Sequence, residues 1–265
     1  MKRVVIMGAS SGIGLAVAKA LASRGVRVGV AARRTDALED LKRTYPEYVE
    51  YSSIDINQEE APAKLRSLIE KLGGMDIYFH VAGIGYENLL LQPEREVQII
   101  QTNAGGFARM VCAAYRWFRE RGVKGHIAAV TSVAGTNGIG RLSAYSSSKR
   151  CAQTYLVALE QLSHAENSGI SFTDIRPGWI RTPLLLPDTR YPLEMTLEYA
   201  LPLIIRAIVR RERVAYIDWR WGMVAALWKR IPDTLWTRLK IKISRPDLPL
   251  PTRAAIANSI AQEKG

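Results

Sequence analysis

The sequence predicts an α/β protein built on a doubly wound parallel sheet, and three observations predict it. Short apolar runs alternate with helix-patterned segments down the chain, the order of a parallel sheet covered on both faces. The first run, residues 4–7, passes through a glycine-rich turn straight into a helical pattern. A polar loop, residues 176–182, leaves the end of a later run, where open α/β sheets gather their ligands.

The runs come in order. Residues 4–7 form the first strand, and Gly8, Gly12 and Gly14 turn the chain into a helix from Leu15 to Ser23. Glycines there let the backbone turn tightly and approach an anion held at the helix N-terminus. Residues 26–32 form the second strand, and Arg33 and Arg34 follow it. An acidic residue at that point would suit a ribose 2′-hydroxyl, whereas two guanidiniums suit a phosphate. Residues 48–54 form the third strand, with Asp55 just beyond it. Asp55 can accept a hydrogen bond from an adenine amino group or cap the helix that begins near Gln58, and the two roles are compatible.

Residues 75–81 form the fourth strand, ending in His80-Val-Ala-Gly83. A long helical segment covers residues 93–121 and is interrupted at Asn103-Ala-Gly-Gly106. Each glycine inside a helix costs about 1 kcal/mol against alanine, so a kink is expected there. Residues 126–130, 170–175 and 214–217 are the remaining strands. Leu184 to Leu186 and residues 191–199 make an apolar loop and helix suited to cover a crevice at the sheet edge.

Between the fifth and sixth strands lies the stretch that carries chemistry. Ser132 stands at a strand end, Ser143 can cap the next helix, and Tyr145 and Lys149 are four apart on one face of that helix. A phenol titrates at about 10 when unperturbed, and a neighbouring ammonium favours its anion and brings it closer to working pH. Ser132 can hydrogen-bond the oxygen of a carbonyl or alcohol.

Composition bounds the rest. At 265 residues the chain supports one large core, and a hydrophobic share of 48% with 23% charged excludes general disorder. No apolar run is long enough to span a bilayer, and the run after Met1-Lys2-Arg3 is cut at Gly8, which argues against a signal peptide. Cys112 and Cys151 lack metal or redox spacing and suit a reducing, cytoplasmic compartment. His80, His126 and His164 are too scattered for a metal site. The net charge is +12, and residues 206–245 hold eleven Lys or Arg against three acids. The excess is therefore a local partner signal, and no nucleic-acid partner is expected.

Taken together, Gly8, Gly12, Gly14, Asp55, Asn103, Ser132, Tyr145, Lys149, Pro177, Gly178 and Thr182 fall in the order of one family. Over roughly residues 2–217 the chain resembles the short-chain dehydrogenase/reductases, Rossmann-type enzymes. That resemblance implies a catalytic set of Asn103, Ser132, Tyr145 and Lys149. Tyr145 would be the general acid in reduction or the base in oxidation, and Lys149 would lower its pKa and hold the nicotinamide ribose. Ser132 would orient the carbonyl, while Asn103 would keep a relay water in place. The implied dinucleotide contacts are Gly8, Ser10, Ser11, Gly12, Ile13 and Gly14; Arg33 and Arg34; Asp55 and Ile56; Ala82 and Gly83; Asn103, Tyr145, Lys149, Pro177 and Gly178. Ile180 and Thr182 would meet the nicotinamide carboxamide. With the two arginines, NADP(H) is expected over NAD(H). The family carries Thr where Met7 stands and Asn-Asn-Ala-Gly where this chain has His80-Val-Ala-Gly83, so those side-chain hydrogen bonds are lost but no catalytic group is.

The expected activity is NADP(H)-dependent interconversion of a carbonyl and an alcohol on an apolar small molecule. A second reading is a 3-oxoacyl reductase acting on an acidic carrier protein. A third is a dinucleotide-binding regulator, which has no need of Ser132, Tyr145 and Lys149 together. The family implies a homodimer or homotetramer through the helices of residues 93–121 and 143–165.

Residues 1–218 are read as the catalytic domain, and 219–265 as a helical, basic extension packed on it. A helix over residues 219–231 stops at Pro232, and a shorter one follows around Leu235, Trp236 and Leu239. Trp221, Val224, Ala225 and Trp228 share one face. That stripe packs either on the protein's own core or a neighbouring subunit, or against a membrane surface through residues 219–242.

Overall fold

In the computed structural model, which describes residues 2–185 and 189–241, β1 (Arg3–Met7) lies between β2 (Arg27–Ala32) and β4 (Ile77–His80). With β3 (Val49–Ser53), β5 (His126–Val130), β6 (Ser171–Pro177) and β7 (Val214–Ile217) they form one seven-stranded parallel sheet, ordered β3-β2-β1-β4-β5-β6-β7. The order reverses between β1 and β4. A crevice opens there beyond the carboxyl ends of the strands.

The central strands β1, β2, β4 and β5 read as largely apolar runs because both faces are covered. Successive side chains of β1 part company: Val4 and Ile6 enter one core with Val28, Val30 and Leu38, while Val5 and Met7 enter the other with Leu65, Leu68 and Tyr78. The first core is closed by α1 (Gly12–Ala22), α2 (Asp36–Thr44) and α7 (Leu197–Arg210). The second is closed by α3 (Ala61–Lys71), α5 (Phe107–Glu120) and α6 (Ser143–Ala165). Met7 and His80 are buried at the positions where the resemblance implies hydrogen-bonding side chains. Backbone bonds do the linking instead, Val81 and Ala82 both donating to the Met7 carbonyl at 2.8 and 2.9 Å. The Tyr78 hydroxyl pairs with His80 Nδ1 at 2.9 Å.

Several features differ from the sequence reading; the helix read within residues 191–199 is α7, which begins at Leu197 and runs to Arg210. The helix expected near Gln58 begins at Ala61, because Asp55 is taken up in a turn, accepting from the Asn57 amide at 3.0 Å. The interruption at Asn103-Ala-Gly-Gly106 is a π-helical turn, Gln101–Gly106, joining α4 (Pro93–Ile100) to α5. Ser143 is the first residue of α6 and not its cap; its hydroxyl donates to Glu96 of α4.

Residues 219–241 fold back on the rest of the chain. Helix α8 (Trp219–Trp228) stops three residues earlier than expected, and α9 (Asp233–Trp236) follows Pro232. Trp221 and Ala225 are buried against the core, and the Trp221 indole donates to the Leu193 carbonyl at 3.2 Å. The Trp236 indole donates to the Gly138 carbonyl at 2.6 Å, and Asn137 donates to the Trp228 carbonyl at 3.0 Å. So the stripe of Trp221, Val224, Ala225 and Trp228 faces the protein itself. The part of the extension from residue 242 onward, Lys242 included, lies outside the described residues, as does Leu186.

Candidate active site

The crevice is a cleft of about 870 Å³ that runs from the β1–α1 turn past the ends of β4, β5 and β6 to α8. Its floor begins at the glycine turn. Gly8 sits at φ +97°, and a side chain on Gly14 would overlap the Gly8 carbonyl, so the turn can close this tightly only without Cβ atoms. Gly8, Ser10, Ser11, Gly12 and Ile13 line the cleft beside the N-terminus of α1, where free amides and the helix dipole favour an anion. Gly14 lies buried beneath them.

Next to that cradle the cleft is bounded by Arg33, Arg34, Asp55 and Ile56. Both arginines are exposed and follow the end of β2. Ala82 and Gly83 form the wall after β4, and Pro177, Gly178, Ile180 and Thr182 the wall after β6. Ile180 is buried and bridges to Met195, which fixes the loop that the sequence marked as a cover. A glycine cradle at a helix N-terminus, with apolar walls beyond it, fits a dinucleotide.

Ser132, Tyr145 and Lys149 all face the same cleft. Ser132 follows β5 in extended conformation, accepts the Ala134 amide at 3.0 Å and donates to the Pro177 carbonyl at 3.4 Å. Gln153, one turn beyond Lys149 on α6, donates to the Ser132 carbonyl at 2.7 Å and pins the strand end to the helix. Asn103, buried in the π-helical turn, does not line the cleft. Its side chain holds the adjoining wall: Oδ1 accepts the Ile84 amide at 2.8 Å, and the amide group donates to the Ile84 carbonyl at 2.7 Å and to Ser148 at 3.2 Å.

Charge in the site departs from the simple sequence picture. Burial pushes the Tyr145 phenol up, and the Ser132 hydroxyl opposes that rise. Lys149 does not sit at the phenol oxygen; its ammonium lies 5.6 Å from the Tyr145 ring centroid and donates to the Val130 carbonyl at 3.1 Å. Desolvation lowers the Lys149 pKa to about 8, and the Asp174 carboxylate works against that fall. In this state the phenol is therefore held neutral, ready to donate a proton.

Several contributing residues escaped the sequence reading. Asp174, buried within β6, accepts the Thr131 hydroxyl at 2.5 Å and pairs with Arg176 at 2.6 Å, beneath Ser132. An acid and a base two apart in an apolar strand were the available signal. Trp179, Tyr191, Trp221 and Trp228 wall the far half of the cleft, with Trp179 stacked on Tyr191 at 4.5 Å between centroids. A side chain on Gly178 would overlap the Trp221 indole, which explains the glycine after Pro177. Among the described residues no group of acids, histidines and cysteines is arranged to hold a metal ion.

Known proteins align with this architecture. A profile of the short chain dehydrogenase family matches residues 2–190. An oxidoreductase of Myxococcus xanthus, described as uncharacterized, is 31% identical over 242 residues, covering 88% of this chain and 94% of that one. A farnesol dehydrogenase of Aedes aegypti is 31% identical over 194 residues, 69% of this chain and 79% of that one. Among solved structures, an alcohol dehydrogenase of Thermococcus sibiricus in complex with 5-hydroxy-NADP superposes with a TM-score of 0.69 at 27% identity, covering 82% of this chain and 94% of that one. Seven parallel strands in this order, the matched profile and the full-length relative agree: the chain belongs to the short chain dehydrogenase family of oxidoreductases.

Proposed function

We propose that the protein is an NADP(H)-dependent reductase or dehydrogenase that interconverts a carbonyl and an alcohol on an apolar small molecule. One observation carries the reading: Ser132, Tyr145 and Lys149 face a single cleft that has a glycine cradle at one end and an aromatic wall at the other. A nicotinamide dinucleotide bound along the cradle would exchange a hydride with the substrate carbon. The chain's own groups do the rest. Ser132 donates a hydrogen bond to the substrate oxygen, and Tyr145 gives that oxygen its proton in reduction or removes it in oxidation. Lys149, as ammonium, stabilises the phenolate left behind. Asn103 holds the wall beside the cleft through its bonds to Ile84 and Ser148.

Arg33 and Arg34 support NADP(H) over NAD(H), since a 2′-phosphate makes charge-assisted hydrogen bonds with guanidinium. Trp179, Trp221 and Trp228 support an apolar substrate, in keeping with a relative named for farnesol, an apolar alcohol. The second reading, a 3-oxoacyl reductase that meets an acidic carrier protein, draws on the basic extension. Oxidation of NADPH with a panel of apolar ketones, aldehydes and acyl thioesters separates the two; no turnover with any of them would contradict both.

The protein would work in the cytoplasm as a homodimer or homotetramer. Val97 and Ile100 on α4 and Val157 on α6 are exposed at 61%, 41% and 47% and suit a helical interface between copies. A monomer by light scattering at micromolar concentration would contradict that assembly.

A further inference from the structure

Helix α8 has two apolar faces. The inner one, with Trp221, Val224 and Trp228, walls the cleft. The outer one carries Trp219, Met223 and Leu227, each one turn from the next and 68%, 58% and 62% exposed. The Trp228 ring packs edge-on against Trp236 at 5.3 Å, which holds α9 at the end of α8. On that side Leu235 and Leu239, again four apart, are 54% and 49% exposed. Single exposed apolar residues are ordinary on a soluble protein, but three in register along one helix form a stripe, and two more stand exposed on the short segment that follows it.

The charge around these residues has one sign. Residues 219–241 contain five Lys or Arg and one acid, Asp233. Lys229, Arg230, Arg238 and Lys240 are all exposed, while the neighbouring buried Asp218 holds Arg220.

We propose that α8 and α9 dock the protein on an anionic lipid surface. Trp219, Met223, Leu227, Leu235 and Leu239 seat at the headgroup boundary, and Lys229, Arg230, Arg238 and Lys240 meet the anionic headgroups. A tryptophan with Met and Leu on one face and cations beside them has the composition of an interfacial helix. A second copy is a poorer occupant, because a two-fold interface would set this cationic rim against itself. The contact is peripheral: at 10 residues α8 is about 15 Å long, half the thickness of a hydrocarbon core. Docking stands on this surface alone. Its consequence, that the helix lying on lipid also walls the cleft and admits apolar substrate from the bilayer, rests on the carbonyl reading above.

The test is flotation of the full-length protein with vesicles of phosphatidylcholine alone or mixed with phosphatidylglycerol, at low and high salt, with no turnover measured. The expected result is binding to the mixed vesicles at low salt. High salt, or Lys229→Glu with Arg230→Glu, should weaken it by about tenfold or more. Met223→Glu with Leu227→Glu should weaken it as strongly, and NADPH binding in solution reports that these variants fold. Failure to float with the mixed vesicles at low salt overturns the proposal, as does binding that survives Met223→Glu with Leu227→Glu. A lipid-free dimer that the same pair of substitutions splits would assign the face to a second copy and equally overturn it.

Discussion

Glu96 of α4 caps the helix that begins at Ser143. Its Oε2 accepts the Ser143 hydroxyl at 2.6 Å and the Ala144 amide at 3.1 Å, while Oε1 accepts from Asn88 at 2.9 Å. A carboxylate at a helix N-terminus satisfies amides that have no partner within the helix and complements its dipole. Tyr145 follows directly, so the carboxylate also fixes where the phenol points. Glu96→Ala should cost about 1–2 kcal/mol of stability, measured by urea unfolding, and lower kcat more than it raises KM. Unchanged stability and kcat would show that the cap is idle.

Lys149 makes the activity pH-dependent. Its folded pKa, lowered to about 8 by burial, means the ammonium is present below that value and lost above it. In the free protein kcat/KM for reduction should therefore fall as pH rises through about 8. Asp174 favours the ammonium, so Asp174→Asn should move this limb to lower pH. The pH profile checks it, with NADPH binding as the control for folding; a limb that stays in place contradicts the role given to Asp174.

The two buried histidines set an acid limit to stability. Burial lowers His80 to about 3 and His126 to about 4, whereas both titrate near 6.5 when unfolded. Below about 6.5 the unfolded chain binds more protons than the folded one, so stability present at neutral pH is lost as pH falls. Each histidine should contribute a slope of roughly 1 kcal/mol per pH unit until its folded value is reached. His80→Gln should flatten the slope in urea titrations between about pH 7 and about pH 5; a slope as steep as before would show that His80 is not its source.

Arg33→Asp should weaken NADPH by about tenfold or more and favour NADH in relative terms, because an anion replaces a phosphate-binding cation. Dissociation constants for both dinucleotides test this. Equal use of both by the unmodified protein would remove the basis for the preference.

Much of this was legible because the signals are local. The central strands, buried on both faces, read as largely apolar runs, and the turn through Gly8, Gly12 and Gly14 shows itself by spacing. Tyr145 and Lys149 share a face by helix geometry alone. The rest depends on contacts distant in the chain. The cap of α6 comes from Glu96, 47 residues before Ser143. The Asp174–Arg176 pair lies in a strand whose register against Thr131 only the folded sheet reveals. On α8 both faces are apolar, so periodicity could not say which one turns inward. Helix α7 runs through Pro202, a residue that in sequence reads as a stop.

The central claim is that Tyr145 supplies the proton in a carbonyl–alcohol interconversion. Tyr145→Phe removes the hydroxyl and leaves the ring that lines the cleft. Turnover with the best carbonyl substrate and NADPH affinity should be measured on the same preparation. The account predicts a loss of turnover of about 100-fold or more with NADPH binding nearly intact. Turnover at the unmodified level in the Phe variant would contradict it.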